Sequence, residues 1–302
     1  MSTPHWHHQD ERETVSSGTG LDRKAGCRLH TDGFVEIDGG KLYYELRGQG
    51  PPVLLIQGGL SEAGATTQLA DRLVAAGQQV ITYDRRGLSR SPVASTEPSV
   101  RMQLHARDAA TLLAAVADRP ARIVGPSIGA VIGLHLTVDF PEQVALLVSH
   151  EPPMSCLVRD PEQEAGLDAV TDIASRGDVL AAIQHFVALG GERNDEPEQD
   201  ASSPEPVGDL RANLRRFFDH DFPAVRAAEL TPDDLIAAAS RTRIVPTGGE
   251  RSRGQWEHRC AQRLAALLDR PLVELPGGHN GFVSHPSGNA TALLDLFGEA
   301  AQ

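Results

Sequence analysis

The length, composition and charge of the chain limit what it can be. Its 302 residues, 40% of them hydrophobic, suit one large α/β domain with an insertion, or two small domains. The formal net charge of −13 argues against nucleic acid and anionic membrane surfaces as partners. No apolar run approaches the roughly 20 residues that span a bilayer, and the few, widely separated cysteines form no disulfide framework, which fits a reducing cytoplasm.

The first 32 residues are polar, rich in histidine and without periodicity, which predicts a disordered tail. His5, His7 and His8 are metal ligands by residue type, but no carboxylate or cysteine is spaced to complete a site with them. The chain also has no glycine-rich dinucleotide motif. We therefore expect no metal and no cofactor.

Strands and helices alternate through the first half of the chain. Residues 34–46 have the pattern of a β-hairpin with a Gly-Gly turn. Such alternation is typical of a mostly parallel sheet with helices on both faces and an active site at the carboxyl ends of the strands. Apolar runs between turn residues predict strands at 53–57, 79–83, 121–125 and 144–149, and helices at 66–76, 99–117 and 128–139.

The pattern changes after residue 150. Residues 151–240 show helical segments without a strand, and the acidic, proline-rich stretch 192–208 within them predicts a mobile loop. The earlier pattern then returns, with strands at 243–247 and 272–275 and helices at 254–269 and 286–298. The chain therefore divides into a tail (1–32), a first core part (33–150), an insertion (151–240) and a second core part (241–302).

The most informative motif is Gly125-Pro126-Ser127-Ile128-Gly129, between the predicted strand 121–125 and the predicted helix 128–139. A G-x-S-x-G sequence at such a junction holds its serine on a sharp turn with the oxygen exposed. The backbone N–H that follows the serine then points to where an oxyanion would form. The motif makes Ser127 the candidate nucleophile and Ile128 a candidate oxyanion donor.

Three further segments stand around this motif in a fixed order. Gln57-Gly58-Gly59 follows the strand at 53–57, residues 84–91 read Asp-Arg-Arg-Gly-Leu-Ser-Arg-Ser, and His279 lies in a glycine-rich loop after the last strand. Together with the elbow, these segments resemble the oxyanion loop, the D-x-R-G-x-G-x-S turn, the nucleophile elbow and the catalytic-histidine loop of the α/β-hydrolase superfamily. The resemblance implies an α/β-hydrolase fold, with a mostly parallel eight-stranded sheet flanked by helices and residues 151–240 as a helical cap.

The resemblance also implies roles for individual residues. His279 would be the base that activates Ser127, since a serine hydroxyl is a poor nucleophile at neutral pH without one. The backbone N–H groups of Gly59 and Ile128 would form the oxyanion hole. Gln57 stands where the family usually has histidine, which leaves open whether Gly59 or Leu60 is the donor.

The acid of the triad departs from the family's commonest pattern. The loop after the seventh strand usually carries an Asp, but here Ser252 stands about where that Asp would be. A neutral hydroxyl cannot stabilise an imidazolium as a carboxylate does. We favour Glu151, at the end of the sixth strand, because some family members carry the acid there. Glu250 is the alternative acid.

Four phenylalanines of the predicted cap would line an apolar substrate pocket or form the core of the cap itself. They are Phe186, Phe217, Phe218 and Phe222.

The turn at 84–86 is expected to be structural, because Asp and Arg at strand ends commonly satisfy backbone groups. A serine at the elbow argues against haloalkane dehalogenases and epoxide hydrolases of this fold, which use Asp there.

These observations favour a serine hydrolase that cleaves an ester or lactone of a small to medium apolar molecule through an acyl-enzyme. A C–C bond hydrolase or an acyltransferase could use the same residues. A catalytically weak hydrolase fold that binds a ligand is the alternative from another class, since the usual Asp and His are both replaced. We expect a small-molecule substrate and neither nucleic acid nor membrane as partner, with a homodimer left open.

Overall fold

Eight strands form the central sheet in the computed structural model, which describes residues 30–94, 96–190, 195–205 and 207–299. The strands are β1 (His30–Ile37), β2 (Gly40–Arg47), β3 (Pro52–Leu55), β4 (Gln79–Tyr83), β5 (Ala121–Pro126), β6 (Val144–His150), β7 (Arg243–Gly249) and β8 (Val273–Leu275). Their order across the sheet is β1-β2-β4-β3-β5-β6-β7-β8. β2 pairs antiparallel with both β1 and β4, and every later pair is parallel. The predicted mostly parallel eight-stranded sheet is confirmed.

Helices connect these strands and cover the sheet on both faces. Ile123 of β5 packs in an apolar cluster with α2 and α3, whereas its neighbour Val124 packs in a second cluster with α1 and α11. Successive side chains of a strand point to opposite faces, so both faces of this sheet are apolar and both need a helical layer. The helices are α1 (Thr67–Ala75), α2 (Met102–Val116), α3 (Ile128–Asp139), α4 (Pro161–Ser175), α5 (Val179–Leu189), α6 (Leu210–Arg216), α7 (Phe222–Arg226), α8 (Pro232–Arg241), α9 (Trp256–Leu267), α10 (Gly281–Ser284) and α11 (Pro286–Glu299).

Helices α4 to α7 form a cap with an apolar cluster of its own. Leu167 of α4, Ala182 of α5 and Leu214 of α6 pack there against the phenylalanines of a π-helical turn, Phe217–Asp221, that joins α6 to α7. π-Helical turns are rare and occur frequently at functional sites. α8 packs instead on α3, and its buried residue Leu235 belongs to the cluster of the main sheet.

The acidic segment that the sequence predicts to be a mobile loop is tied to the core over its described residues. The Glu198 carboxylate accepts the backbone N–H of Ser287, at 2.5 Å, and that of Gly288 at the start of α11. Gln68 of α1 donates to the carbonyl of Asp200 at 2.8 Å. Residues 195–205 form neither helix nor strand, as predicted, and these hydrogen bonds attach the loop to α1 and α11; residues 192–194 and 206 lie outside the described residues.

The predicted tail ends earlier than the sequence suggests. Residues 30–32 already belong to β1, where Asp32 pairs with Glu45 of β2, so they are strand and not tail. The remainder of the tail, with His5, His7 and His8, lies outside the described residues. Within the described part of the chain, no helix combines the length and the apolar character needed to cross a membrane.

Candidate active site

Ser127 lies on a sharp turn between β5 and α3. Its backbone has φ 55° and ψ −127°, a conformation that non-glycine residues rarely adopt, and its N–H donates to the carbonyl of His150 at 2.9 Å. The flanking glycines make the turn sterically possible. A Cβ at Gly125 would lie 2.3 Å from the carbonyl oxygen of Gly129, and a Cβ at Gly129 would lie 2.2 Å from that of Ile56. The motif thus produces the strained strand-to-helix turn that its sequence predicts.

Ser127 and His279 line the same cavity, which holds about 280 Å³ between the cap and the carboxyl ends of the strands. Gly59 and Ile128 are also in its wall, and apolar side chains predominate. Three of the four predicted phenylalanines, Phe186, Phe217 and Phe222, line the cavity and also pack in the cap cluster.

Phe218 is the exception among the four phenylalanines. It is 4% exposed and stacks edge-on against Phe217 and Phe222, with ring centroids 5.1 and 5.7 Å away. It is not among the residues that line the cavity. Phe218 therefore belongs to the core of the cap and not to the pocket.

The carboxylate of Glu151 lies directly behind His279. Its Oε2 accepts a hydrogen bond from His279 Nδ1 at 2.7 Å, and its Oε1 accepts the backbone N–H of Gly249 at 2.8 Å and the hydroxyl of Ser252. Burial opposes ionisation of this fully buried carboxyl, but the hydrogen bonds from His279 and Ser252 and the nearby imidazoles lower its pKa to about 2. Glu151 is therefore ionised at neutral pH and holds the His279 proton on Nδ1.

The two candidate acids have different surroundings. Glu250 is exposed at the end of β7, where its backbone N–H donates to the carbonyl of Leu275. Ser252, at the position where the family usually has Asp, donates to Glu151 instead of contacting His279. The loop that supplies the acid in most of the family thus supplies a hydrogen-bond donor to Glu151, the candidate acid on β6.

A second histidine, His150, orients the loop that carries His279. Its Nε2 donates to the carbonyl of Gly278 at 3.3 Å, and its Nδ1 lies 3.1 Å from the hydroxyl of Thr247. Burial lowers the pKa of His150 to about 4, so the ring is neutral at pH 7. His150 was not among the predicted site residues, although its position beside Glu151 at a strand end was a usable signal.

The predicted oxyanion loop, residues 57–60, is held by the guanidinium of Arg85. Nη1 donates to the carbonyls of Gln57 at 3.0 Å and Gly58 at 2.8 Å, and Nη2 donates to that of Gly59. The same guanidinium contacts Asp221 of the cap at 3.2 Å. Asp221 was not among the predicted site residues, because nothing in the sequence of the segment separates it from the exposed Asp219.

The neighbouring residues of this turn bind other parts of the protein. Arg86 forms a two-pronged ion pair with Asp108 of α2, at 2.6 and 2.7 Å. Asp84 accepts the backbone N–H of Ala63 at 2.8 Å and pairs with Arg90 at 2.7 Å. All three turn residues are buried and bound within the protein, which agrees with the structural interpretation.

Ser252→Ala is expected to lower the free energy of unfolding at pH 7 by about 1.5 to 3 kcal/mol, the usual contribution of a hydrogen bond to a charged group. The Ser252 hydroxyl favours the ionised form of Glu151 and so helps to keep its pKa below the ordinary 4.5. This stabilisation is complete above that value and is lost as the pH falls towards about 2. Urea unfolding at pH 7 and pH 2.5 should show a smaller difference from wild type at the lower pH, because the difference is lost only as the pH approaches the folded-state pKa of about 2.

The exposed Ser240, whose hydroxyl donates to the carbonyl of Ala237, provides the control for that substitution. Ser240→Ala should change stability by less than about 0.5 kcal/mol at either pH. If Ser252→Ala destabilises the protein equally at both pH values, Ser252 is not a determinant of Glu151 ionisation.

Comparisons with known proteins agree with the topology. A family model described as alpha/beta hydrolase fold matches residues 51–175. The chain is 31% identical over 269 residues to the uncharacterized hydrolase YraK of Bacillus subtilis strain 168, which covers 88% of this chain and 95% of that protein. It is 28% identical over 272 residues to a zearalenone hydrolase of Cladophialophora bantiana, which covers 85% of this chain and 93% of that protein. The crystal structure of an alpha/beta hydrolase from Sphaerobacter thermophilus DSM 20745 is 23% identical and has a TM-score of 0.65, covering 88% of this chain and 100% of that one.

Proposed function

The chain belongs to the α/β-hydrolase family, and from this premise we propose that it is a serine hydrolase acting on an ester or lactone of a small to medium apolar molecule. The observation that carries the proposal is the 2.7 Å contact between His279 Nδ1 and Glu151, with His279 and Ser127 on the wall of one cavity. A base oriented by a buried carboxylate, on the wall of the same cavity as a serine on a strained turn, fits a nucleophilic triad.

In the first half of the proposed reaction, Ser127 attacks the carbonyl carbon of the substrate while His279 Nε2 takes the hydroxyl proton. Glu151 holds the other ring proton on Nδ1, so Nε2 is free to accept. The backbone N–H groups of Ile128 and Gly59 stabilise the oxyanion of the tetrahedral intermediate. His279 then protonates the leaving alkoxide, and the acyl group stays on Ser127.

In the second half, water replaces the alcohol. His279 takes a proton from the water as its oxygen attacks the acyl carbon, and the same imidazolium then protonates Ser127 as the carboxylic acid leaves. With a lactone, the alcohol and the acid are parts of one molecule, so a single hydroxy acid is released. These steps consume one water and need no cofactor.

The size and lining of the cavity support an apolar substrate. A volume of about 280 Å³ is at the lower end of the range for small-molecule sites. The three cap phenylalanines in its wall favour apolar groups over charged ones. The similarity to a protein named zearalenone hydrolase also supports a lactone substrate.

A fluorophosphonate probe and a substrate panel test this proposal together. The probe should label the wild type stoichiometrically, and peptide mass spectrometry should locate the adduct on Ser127. The panel contains p-nitrophenyl esters from acetate to decanoate, aliphatic and aryl lactones, and a p-nitrophenyl carbamate. Turnover of esters or lactones supports the proposal, and preference for the carbamate would change the substrate class. A folded wild type that is neither labelled nor active would favour a ligand-binding protein.

A further inference from the structure

The oxyanion loop has a support that connects it to the cap. Three successive carbonyls, those of Gln57, Gly58 and Gly59, all accept hydrogen bonds from the guanidinium of Arg85. Arg85 is 1% exposed and lies behind the loop, whereas the loop itself lines the cavity. One buried cation thus contacts consecutive peptide groups of the segment that supplies the proposed oxyanion donor.

The contacts of Arg85 with these carbonyls also determine the direction in which the N–H groups of the same peptides point. In a planar trans peptide the N–H points away from the C=O of the same unit, and the described residues contain no cis peptide bond. The N–H of Gly59 shares its peptide with the Gly58 carbonyl, and the N–H of Leu60 shares its peptide with the Gly59 carbonyl. Because both carbonyls point to Arg85, both N–H groups point to the opposite side.

The guanidinium is held in turn by a carboxylate from the cap. Asp221, the last residue of the π-helical turn, contacts Arg85 Nη2 at 3.2 Å and His105 Nε2 at 3.1 Å. The side chains of Arg85 and Asp221 are both 0% exposed. Burial opposes ionisation of Asp221, but His105 and Arg85 together lower the pKa of this carboxyl to about 2. A charged pair this deeply buried holds a fixed position because moving either partner leaves the other unpaired.

The same turn of the cap also touches the oxyanion loop directly. A Cβ built on Gly59 would lie 3.1 Å from Cε2 of Phe217, so the Phe217 ring covers this glycine closely. Phe217 and Asp221 are the first and last residues of the π-helical turn. The cap therefore contacts the loop from the cavity side through Phe217 and from the buried side through Asp221 and Arg85.

We propose that Arg85 and Asp221 are positioning residues for the oxyanion hole, and that the cap thereby forms part of the catalytic apparatus as well as of the substrate pocket. Arg85 aligns the N–H groups of Gly59 and Leu60, and Asp221 fixes Arg85 in the position that does so. The inference rests on the proposed function, since an oxyanion forms only if Ser127 attacks a carbonyl.

The adjacent pair Arg86–Asp108 is a matched control. It has the same chemistry, comes from the same turn and has a fully buried arginine side chain. Its arginine donates to the backbone carbonyl of Asp38 and to the carboxylate of Asp108, away from the oxyanion loop. A substitution in either pair removes a buried ionic contact, but only the Arg85 pair supports the peptides of the loop.

The test compares Arg85→Lys and Asp221→Asn with Arg86→Lys and Asp108→Asn, using full-length proteins checked by circular dichroism and thermal melting. For each protein, kcat and KM are measured on p-nitrophenyl butyrate, together with Ki for an aryl trifluoromethyl ketone, which forms a tetrahedral adduct with the serine. Loss of an oxyanion donor typically costs 10² to 10³ in kcat. For Arg85→Lys and Asp221→Asn we expect kcat to fall roughly 10- to 100-fold with KM within about 3-fold. Ki for the ketone should rise by the factor that kcat/KM falls, and both control variants should keep kcat within about 3-fold.

Each outcome decides one question. If the ketone inhibits wild type but the two pairs of variants lose kcat and ketone affinity equally, the positioning role is overturned. It is also overturned if both Arg85→Lys and Asp221→Asn fail to fold while the controls fold, because the pair is then structural. If only one of them folds, that variant decides. If the wild type neither hydrolyses p-nitrophenyl butyrate nor is inhibited by the ketone, the proposed function itself fails, whatever the variants do.

Discussion

Ser127→Ala is expected to reduce kcat for ester hydrolysis by about 10⁴- to 10⁶-fold, the loss seen when a serine nucleophile is removed. Alanine has no hydroxyl that His279 could activate, so no acyl-enzyme can form. The backbone at this position is already strained in the wild type, with a φ of 55°, and alanine is smaller than serine, so the substitution adds no new strain to the turn. The variant should therefore fold like the wild type. Stopped-flow hydrolysis of p-nitrophenyl butyrate measures the loss, and fluorophosphonate labelling should disappear with it.

The control for this substitution is Ser240→Ala, which removes an exposed hydroxyl on α8. It should keep both turnover and labelling. If Ser127→Ala keeps more than about a tenth of the wild-type kcat while remaining folded, the nucleophile lies elsewhere and the proposed mechanism is wrong.

Glu151→Gln is expected to lower kcat by roughly 10³- to 10⁴-fold, as when the acid of a serine triad becomes an amide. Two donors, Gly249 N–H and the Ser252 hydroxyl, converge on Oε1. In the glutamine variant these two donors hold the amide oxygen at the position of Oε1. The amide nitrogen then takes the position of Oε2, next to His279 Nδ1. An NH₂ group donates, so His279 must accept on Nδ1 and carry its proton on Nε2, which is the wrong tautomer for a base.

The measurement is kcat/KM against pH for wild type, Glu151→Gln and Glu250→Gln. Because Glu250 is exposed at the surface, its amide variant should behave like the wild type within about 2-fold. A collapse of Glu250→Gln with retained activity in Glu151→Gln would reverse the assignment of the acid. An intermediate effect in both would point to a carboxylate network in place of one dominant partner.

The sequence predicted the features that depend on neighbouring residues. Gly125 and Gly129 leave the room that a strained turn at Ser127 needs, so the elbow and its serine could be read from five letters. The alternation of apolar runs and turn residues predicted the order of these strands and helices, and it predicted their ends to within a few residues. The four motifs in order predicted the α/β-hydrolase fold.

The choice between acids needed both sources. The sequence named Glu151 and Glu250 and favoured the first by analogy with other members of the family. The folded chain adds the contacts themselves: β6 pairs with β7, and the Glu151 carboxylate accepts hydrogen bonds from Gly249 and Ser252 and faces His279. Pairing between strands far apart in the chain decides such contacts, and spacing along the sequence does not encode them.

The contacts between the cap and the core could be found only in the tertiary structure. Asp221 and Arg85 are 136 positions apart, and their contact depends on where the whole cap docks. The same holds for Glu198, which reaches α11 from a segment that looked unstructured in sequence. Burial decides whether a charged side chain needs a partner. Asp219 and Asp221 are the same residue type, but Asp219 is exposed and Asp221 is shielded from water. An unpaired charge is costly in a buried position, so Asp221 requires a partner.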